Sequence, residues 1–348
     1  MRPLGCVAAL VLAAGACADD DAAAPVVSPL CDRTSLCEGV PTAPAIGPAT
    51  TVAPSDAMPP EVVSQVAHNN LDVAWHDDGD GGRLFLAFRT APNHFASPEV
   101  VMYVVSSADL ATWRFEGSFA LGTDVREPQL LSIGGELLFY FVELGQEQTD
   151  FTPHGVHVAK WLGPGEFGPV QDVFEPGFLA WRIKTMERPG EREGEWAYAF
   201  GYLGGENVYD NDGEPIVVSW LRSKDGLTWE PVDASGGDGE VLRGGVSETD
   251  AVFLDDGRVI AVGRNEAGDA DGFGSKICRG EAAAPTMWTC AYDKKKYDSP
   301  LVFRQGDEVW LIGRRATAAR SPSSRRGSAR SDLRPSSGRS RDRSATSN

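Results

Sequence analysis

Short apolar runs alternate with polar turns along most of the chain, and this pattern predicts β-strands. Hairpins begin near residues 70, 126, 181, 248 and 298, and their turns are rich in Asn, Asp and Gly. Such turns between alternating apolar runs are typical of β-hairpins. No helical period of 3.6 residues is sustained between them. The pattern therefore predicts an all-β chain built from repeated hairpin units.

A turn motif, Ser-x-Asp-x-x-Thr-Trp, occurs twice, at residues 107–113 and 223–229. Its Ser and Asp side chains are suited to hydrogen-bond the turn backbone, and its Trp to pack between sheets. The two Trp residues are 116 positions apart, and Trp288 follows the second by 59. Because a four-stranded propeller blade occupies roughly 40–60 residues, this spacing predicts consecutive blades. The blade between the two motifs should have its turn near Phe167.

The motifs and hairpins resemble the Asp-box (BNR) repeats of sialidase-like β-propellers, over roughly residues 65–315. This resemblance implies four-stranded blades, six in the parent design and about four and a half encoded here, with the Asp-boxes on the rim. A second resemblance is to five-bladed glycosidases of neutral sugars. It rests on Asp72, Arg126-Glu127-Pro128 and Glu248, with Glu127 where that family has Asp.

Polar residues recur where the predicted innermost strands begin or where their hairpins end. In a propeller these strands line the central channel, so such side chains should converge at one of its mouths. The candidate catalytic carboxylates are Asp72, Glu127, Glu248 and Asp298. The sialidase resemblance implies arginines that grip a substrate carboxylate. The candidates for that role are Arg89, Arg126, Arg182 and Arg264.

Two classes of function stay open at this point. One is a surface propeller that recognises a glycan or cell-envelope polymer without cleaving it, because a fold does not by itself imply activity. The other is an exo-glycosidase, a sialidase or a neutral-sugar hydrolase, in which paired carboxylates supply acid and base or nucleophile. In both cases the partner is carbohydrate.

Composition narrows the choice of other partners. The formal net charge of −18 would repel a phosphate backbone, so we expect no nucleic acid partner. We also expect no metal and no cofactor. Cys-x-x-Cys is absent, the five His are scattered, and the acidic glycine-rich turns lack a complete calcium loop.

The first residues predict export. Arg2 precedes a short apolar core, and Ala14-Gly15-Ala16-Cys17 resembles a bacterial lipobox with Ala14 where Leu is usual. We expect residues 1–16 to be a signal peptide and Cys17 to be lipidated, with ordinary cleavage nearby as the alternative. The protein would then lie at the bacterial cell envelope, and the lipid anchor would be its only membrane contact.

The remaining segments differ in composition. Residues 17–60, rich in Ala, Pro and Asp, predict a disordered tether, and residues 61–315 form the predicted propeller. Export favours disulfides, for which Cys31 with Cys37 and Cys278 with Cys290 are the candidate pairs. Residues 316–348 contain eight Arg and ten Ser but no Val, Ile, Phe, Trp or Tyr. We interpret this tail as disordered and as the product of a lost reading frame; a basic tail for anionic partners is the alternative.

Overall fold

A computed structural model describes residues 50–77, 79, 81–203, 215–233, 237–266, 272–306 and 308–316. Strands fill these ranges, and no helix long and apolar enough to cross a membrane occurs in them. The predicted signal peptide, the lipidation site Cys17, the pair Cys31 and Cys37, and residues 317–348 lie outside the described residues.

The strands form successive antiparallel sheets. Blade 1 contains β1 (Ala67–His76), β2 (Arg83–Ala91), β3 (Val101–Ser107) and β4 (Arg114–Phe119). Blade 2 contains β5 (Val125–Ile133), β6 (Glu136–Glu143), β7 (Gly155–Gly163), β8 (Glu166–Phe167) and β9 (Gln171–Val173). Blade 3 contains β10 (Leu179–Thr185), β11 (Ala197–Leu203), β12 (Ile216–Ser223), β13 (Glu230–Pro231) and β14 (Glu240–Gly244).

Blade 4 contains β15 (Val246–Phe253), β16 (Arg258–Asn265), β17 (Ser275–Glu281) and β18 (Ala284–Asp293). A fifth sheet contains β19 (Lys296–Gln305) and β20 (Glu308–Ala316). The predicted all-β propeller is therefore confirmed, with four blades and one further hairpin in the described residues. In blades 2 and 3 the fourth position of the sheet is shared by two short segments, which both pair with the third strand. The five hairpin starts and the turn before Phe167 fall where the sequence pattern predicts them.

Aromatic side chains pack between neighbouring blades, whose innermost strands are β1, β5, β10, β15 and β19. Phe119 of blade 1 packs on Phe139 of blade 2, with ring centroids 4.8 Å apart. Trp220 of blade 3 stacks on Phe253 of blade 4 at 5.1 Å. Burying such rings contributes both area and specific geometry to stability. The strand starts that carry the candidate site are thus fixed by large hydrophobic contacts.

The two Ser-x-Asp-x-x-Thr-Trp motifs, called Asp-boxes below after the repeat that they resemble, lie in the turns after β3 and β12, away from the innermost strands. In the first, Asp109 Oδ1 accepts from Ala111 N and Thr112 N, at 2.9 and 2.8 Å. In the second, Asp225 Oδ1 accepts from Leu227 N and Thr228 N, at 2.8 and 2.7 Å. The boxes therefore close rim turns, in agreement with the sequence-based interpretation.

The boundary of the predicted tether needs a correction. Residues 50–60, placed in the tether by composition, include side chains that pack against blade 1, where Val52 is 7% exposed in one cluster with Trp113. Met58 and Val62 contact the same cluster. Apolar side chains spaced through a Pro-rich segment can cover a sheet face without forming a regular element. The tether thus ends earlier than residue 60.

Candidate active site at the channel mouth

Each innermost strand carries a β-bulge near its start. The pairing register shifts at Asn69/Leu71, Arg126/Gln129, Ala180/Arg182, Val246/Thr249 and Asp298/Leu301. Three of the bulge residues have positive φ although none is glycine: Asn70 (44°), Glu127 (52°) and Ser299 (54°). Bulges re-aim side chains, and such backbone outliers cluster at functional sites. The repeated bulge therefore indicates that the candidate functional site lies at this end of the channel.

One repeated position ties each blade to the next. Asp72 Oδ2 accepts from Leu130 N at 2.8 Å, and Asp250 Oδ2 accepts from Val302 N at 2.7 Å. In blade 2 the neutral Gln129 has this position, and its Oε1 accepts from Ile183 N at 3.1 Å. Asp72 is thus equivalent to Asp250 and Gln129, which fasten neighbouring innermost strands.

The bulge position lies two residues earlier and is occupied by Asn70, Glu127, Glu248 and Ser299 in four of the sheets. Asn70 Nδ2 donates to Glu127 Oε1 at 2.8 Å, and Ser299 N donates to Glu248 Oε2 at 2.7 Å. The resemblance to five-bladed glycosidases pointed to Asp72 as the partner of Glu127 and Glu248. The register corrects this layout, because Asn70 holds the equivalent position in blade 1.

Three of the four candidate carboxyls have raised pKa values. Burial raises the pKa of Glu248 to about 7, against the pull of Arg264, and the nearby charge of Glu127 adds to the rise. Burial also raises the pKa of Glu127, opposed mainly by Arg126. The pKa of Asp72 is raised to about 6 by burial, against the attraction of Arg182. Carboxyl groups that keep a proton near neutral pH are suited to general acid catalysis.

Arg264 gathers the carboxylates of blade 4 and the last hairpin. Its Nη1 lies 2.7 Å from Glu248 Oε1 and 3.7 Å from Asp298 Oδ1, and its Nη2 pairs with Glu266. Asp298, the fourth candidate carboxyl, therefore reaches the same cluster. Arg264 is 7% exposed and holds protein carboxylates, so it orients the site rather than presenting a free guanidinium.

Arg89 has a structural role in place of the predicted role in substrate binding. It is fully buried, and its five N–H groups are all directed at protein acceptors. These acceptors are Asp124 Oδ1 (from Nε and Nη2), Asn69 Oδ1, Asn93 O and Phe95 O. No donor remains for a ligand in this arrangement, which is the normal condition of a buried charge.

Arg126 and Arg182 differ in how fully they are paired. Arg126 Nε donates to Asp124 at 2.6 Å, and its guanidinium lies 5.0 Å from the Phe151 ring centroid. Arg182 Nη1 is 3.6 Å from Asp72 and its Nε is 3.9 Å from Asp250, both beyond hydrogen-bond range. The Arg182 Nε is buried and has no hydrogen-bond partner in the described part of the chain. Arg182 is therefore the least fully paired of the four candidate arginines.

Sequence reasoning missed Asp124 and Lys184 in this region. Asp124 is fully buried between Arg89 and Arg126. Lys184 Nζ lies 2.7 Å from Asp250 Oδ1, and burial lowers its pKa. A signal for Lys184 existed, because it follows Arg182 by two residues and alternate residues of a strand share a face.

Two further predictions concern bonds to sulfur and to metals. Cys278 and Cys290, paired in the sequence-based prediction, form a disulfide between β17 and β18, where they lie opposite each other. Within the described ranges, no group of three or more His, Cys, Asp or Glu side chains is arranged to hold a metal ion.

Comparison with known proteins gives similarity of fold only. No family model matches the chain, and no curated protein matches it in sequence. The Penicillium chrysogenum alpha-L-arabinanase complexed with arabinobiose is 14% identical, with TM-score 0.42 and 65% of each chain covered. The Fusarium graminearum alpha-L-arabinofuranosidase, also with arabinobiose, is 15% identical, with TM-score 0.48, 70% of this chain and 71% of that chain covered.

The Trypanosoma rangeli sialidase is 13% identical with TM-score 0.42, covering 65% of this chain and 38% of that chain. This chain thus spans less than two thirds of the arabinanase and of the sialidase. Each activity belongs to the protein that carries it, and none is transferred to this chain by the likeness.

Proposed function

We propose that the protein binds a glycan at the channel mouth and hydrolyses the bond to its terminal sugar. One observation supports this most: Glu127 and Glu248 occupy equivalent bulge positions in two separate blades, and the charge of Glu127 raises the pKa of Glu248. Glycoside hydrolysis requires at least two carboxyl groups, one to donate a proton and one to act as base or nucleophile.

Glu248 is assigned the role of general acid. With a pKa of about 7 it carries a proton on a large fraction of molecules at neutral pH, and it would give that proton to the glycosidic oxygen as the bond to the sugar breaks. Arg264, 2.7 Å from its Oε1, would stabilise the carboxylate left behind. Glu127 would take the proton from the attacking water.

Recognition without cleavage is the second candidate. It is favoured by the engagement of Glu248, which is 6% exposed and already held by Arg264 and by Ser299 N. A carboxyl held in this way can serve as a fixed hydrogen-bonding group for a sugar hydroxyl. In that case Arg182, whose contacts with Asp72 and Asp250 are long, would contribute to affinity and no bond would be broken.

Hydrolysis is tested with fluorogenic sialosides and neutral glycosides, using the full chain and its Glu248→Gln and Glu127→Gln variants. We expect turnover by the parent on at least one substrate and a loss of about 100-fold or more in each variant. Glu136→Gln is the control, since Glu136 begins β6, at the opposite end of the hairpin from the channel-mouth residues, and pairs with Lys160. Binding on a glycan array without turnover would leave recognition as the function. The absence of both turnover and binding would remove both candidates.

We further propose that the protein acts from the cell envelope, anchored through Cys17. Support comes from the apolar core that follows Arg2 and from Ala14-Gly15-Ala16-Cys17. Metabolic labelling with a fatty acid should mark the parent and leave Cys17→Ser unmarked. Equal labelling of the two proteins would remove the anchor.

A further inference from the structure

Two phenylalanines stand exposed at the mouth end of the channel, and each is connected to one of the paired carboxyls through a chain of intervening residues. Phe95 is 50% exposed and Phe273 is 62% exposed. Phe95 follows β2 and Phe273 precedes β17, so both belong to connections between the second and third strands of a blade. Because neighbouring strands are antiparallel, these connections lie at the end where the innermost strands begin. Large exposed aromatic side chains at a candidate site indicate a surface on which a ligand packs.

The backbone at Phe95 is held firmly although the ring is exposed. Its carbonyl accepts from the buried Arg89 Nη2 at 3.0 Å, and its N–H donates to Asn93 Oδ1 at 2.8 Å. The preceding His94 makes a 2.8 Å hydrogen bond to Asn69, next to the bulge residue that contacts Glu127. A buried ion-pair network thus presents an aromatic ring to solvent on the Glu127 side of the site.

Phe273 is linked to the other carboxyl by a chain of contacts. Lys296 Nζ lies 4.8 Å from the Phe273 ring centroid and donates to Glu266 Oε2 at 3.0 Å. Glu266 in turn pairs with Arg264, which holds Glu248. The Phe273 carbonyl also accepts from Tyr292 Oη at 3.3 Å. The ring is therefore positioned on the Glu248 side.

We infer that Phe95 and Phe273 are stacking platforms for the flanking residues of a linear oligosaccharide whose reacting linkage lies at Glu127 and Glu248. The C–H face of a sugar ring packs on an aromatic face, and the sugar hydroxyls keep their contact with water or polar neighbours. This inference rests on the proposed function and names its substrate class: a glycan chain of several units rather than a monosaccharide glycoside. Each platform should make the binding affinity depend on the length of the chain rather than on the identity of its sugars.

The test measures affinity against chain length by titration calorimetry. The probes are linear oligosaccharides of one to five units from the series that gives the strongest glycan-array signal with the Glu248→Gln protein, which binds without turnover. We expect affinity to rise with length, and Phe95→Ala or Phe273→Ala to remove about 3- to 10-fold of the affinity for the longest chain. The same variants should leave the affinity for the single unit unchanged.

Three further variants control for a nonspecific loss of affinity. Leu162→Ala removes an exposed apolar side chain of β7 and should not change affinity at any length. Phe95→Trp and Phe273→Trp keep a stacking surface and should keep the length dependence. Affinity that does not grow with chain length, or alanine variants that bind the longest chain like the parent, would overturn the inference and leave the proposed function standing. A parent that binds no glycan in the array would overturn both.

Discussion

Carboxyl groups have opposite properties at the rim and at the channel mouth of this propeller. At the rim, hydrogen bonds from backbone N–H groups lower the pKa of Asp109 to about 2, and the pKa of Asp225 is lowered for the same reason. At the mouth, burial raises the pKa of Glu248 to about 7 and that of Asp72 to about 6.

The difference lies mainly in solvent, because carboxyls in both places accept hydrogen bonds. Asp72 and Glu248 each accept from a backbone N–H of the neighbouring blade and have an arginine nearby. These contacts favour the charged form, but they do not offset the loss of water around a buried carboxylate. The rim carboxyls keep their water and gain hydrogen bonds as well. The rim therefore uses carboxylates for architecture, and the mouth holds groups prepared for chemistry.

The largest expected effect concerns the rim turn at Gly226. A Cβ there would lie 2.4 Å from Leu138 Cδ1 and 2.6 Å from Tyr140 Oη, and the residue has a φ of 72°. Gly226→Ala should therefore lower the free energy of unfolding by about 3 kcal/mol, through overpacking and backbone strain together. Urea denaturation measures the change, and ligand affinity per folded molecule should not move.

The first Asp-box offers the matched control. Leu110 has the position equivalent to Gly226, with a φ of 61°, and it is 39% exposed. Leu110→Ala keeps a non-glycine residue there and should change stability by less than about 0.5 kcal/mol. Equal losses in the two variants would show that the blade interior around Gly226 is looser than the contacts indicate.

The second prediction concerns the mouth. Because the folded-state pKa of Glu248 is raised from 4.5 to about 7, its contribution to stability is fully present below pH 4.5 and is lost as pH rises through about 7. Glu248→Gln removes this loss, so at pH 8 the variant should be more stable than the parent by on the order of 2 kcal/mol. At pH 4 the two proteins should unfold alike.

Thermal unfolding at the two pH values checks this prediction, with Glu230→Gln as the control on the rim. Glu230 is exposed and pairs with Arg222, so its replacement should matter little at either pH. If Glu248→Gln is less stable than the parent at pH 8, the ion pair with Arg264 outweighs burial and the general-acid assignment loses its physical basis.

Local patterns predicted much of this molecule, and long-range pairing explains what they missed. The hairpin starts and both Asp-boxes follow from turn chemistry, which is set by a few neighbouring residues. The choice between Asn70 and Asp72 depends on a bulge register, which the run Asn69-Asn70-Leu71-Asp72 does not determine. The sequence predicts a ligand-binding role for Arg89, because its partner Asp124 lies 35 residues away in a segment with no motif that would reveal the ion pair.

The third prediction is smaller and belongs to the second Asp-box. Asp225→Ala removes the acceptor of Leu227 N and Thr228 N and should lower the free energy of unfolding by about 1–2 kcal/mol at pH 7. Since the folded-state pKa of Asp225 is lowered, its contribution is present above the unfolded value of 3.8 and is lost as pH falls below it. The difference between parent and variant should therefore shrink toward pH 2. A difference that grows in acid would contradict this account.

The smallest effect is a gain of stability in the first Asp-box. Leu110 adopts a left-handed φ of 61° at the place where the second box has glycine, and this conformation costs an L-residue about 1 kcal/mol. Its side chain is 39% exposed and belongs to none of the hydrophobic clusters of the described residues, so its removal disturbs no core packing there. Leu110→Gly should therefore raise the free energy of unfolding by about 0.5 kcal/mol, the strain relieved being partly offset by the greater freedom of glycine in the unfolded chain. Urea denaturation of parent and variant in parallel measures the gain. Leu110→Ala separates the effect of losing the side chain from the relief of backbone strain, because it keeps a Cβ at this position. If Leu110→Gly is less stable than both the parent and Leu110→Ala, the Leu110 side chain makes a contact at the rim that outweighs its backbone strain.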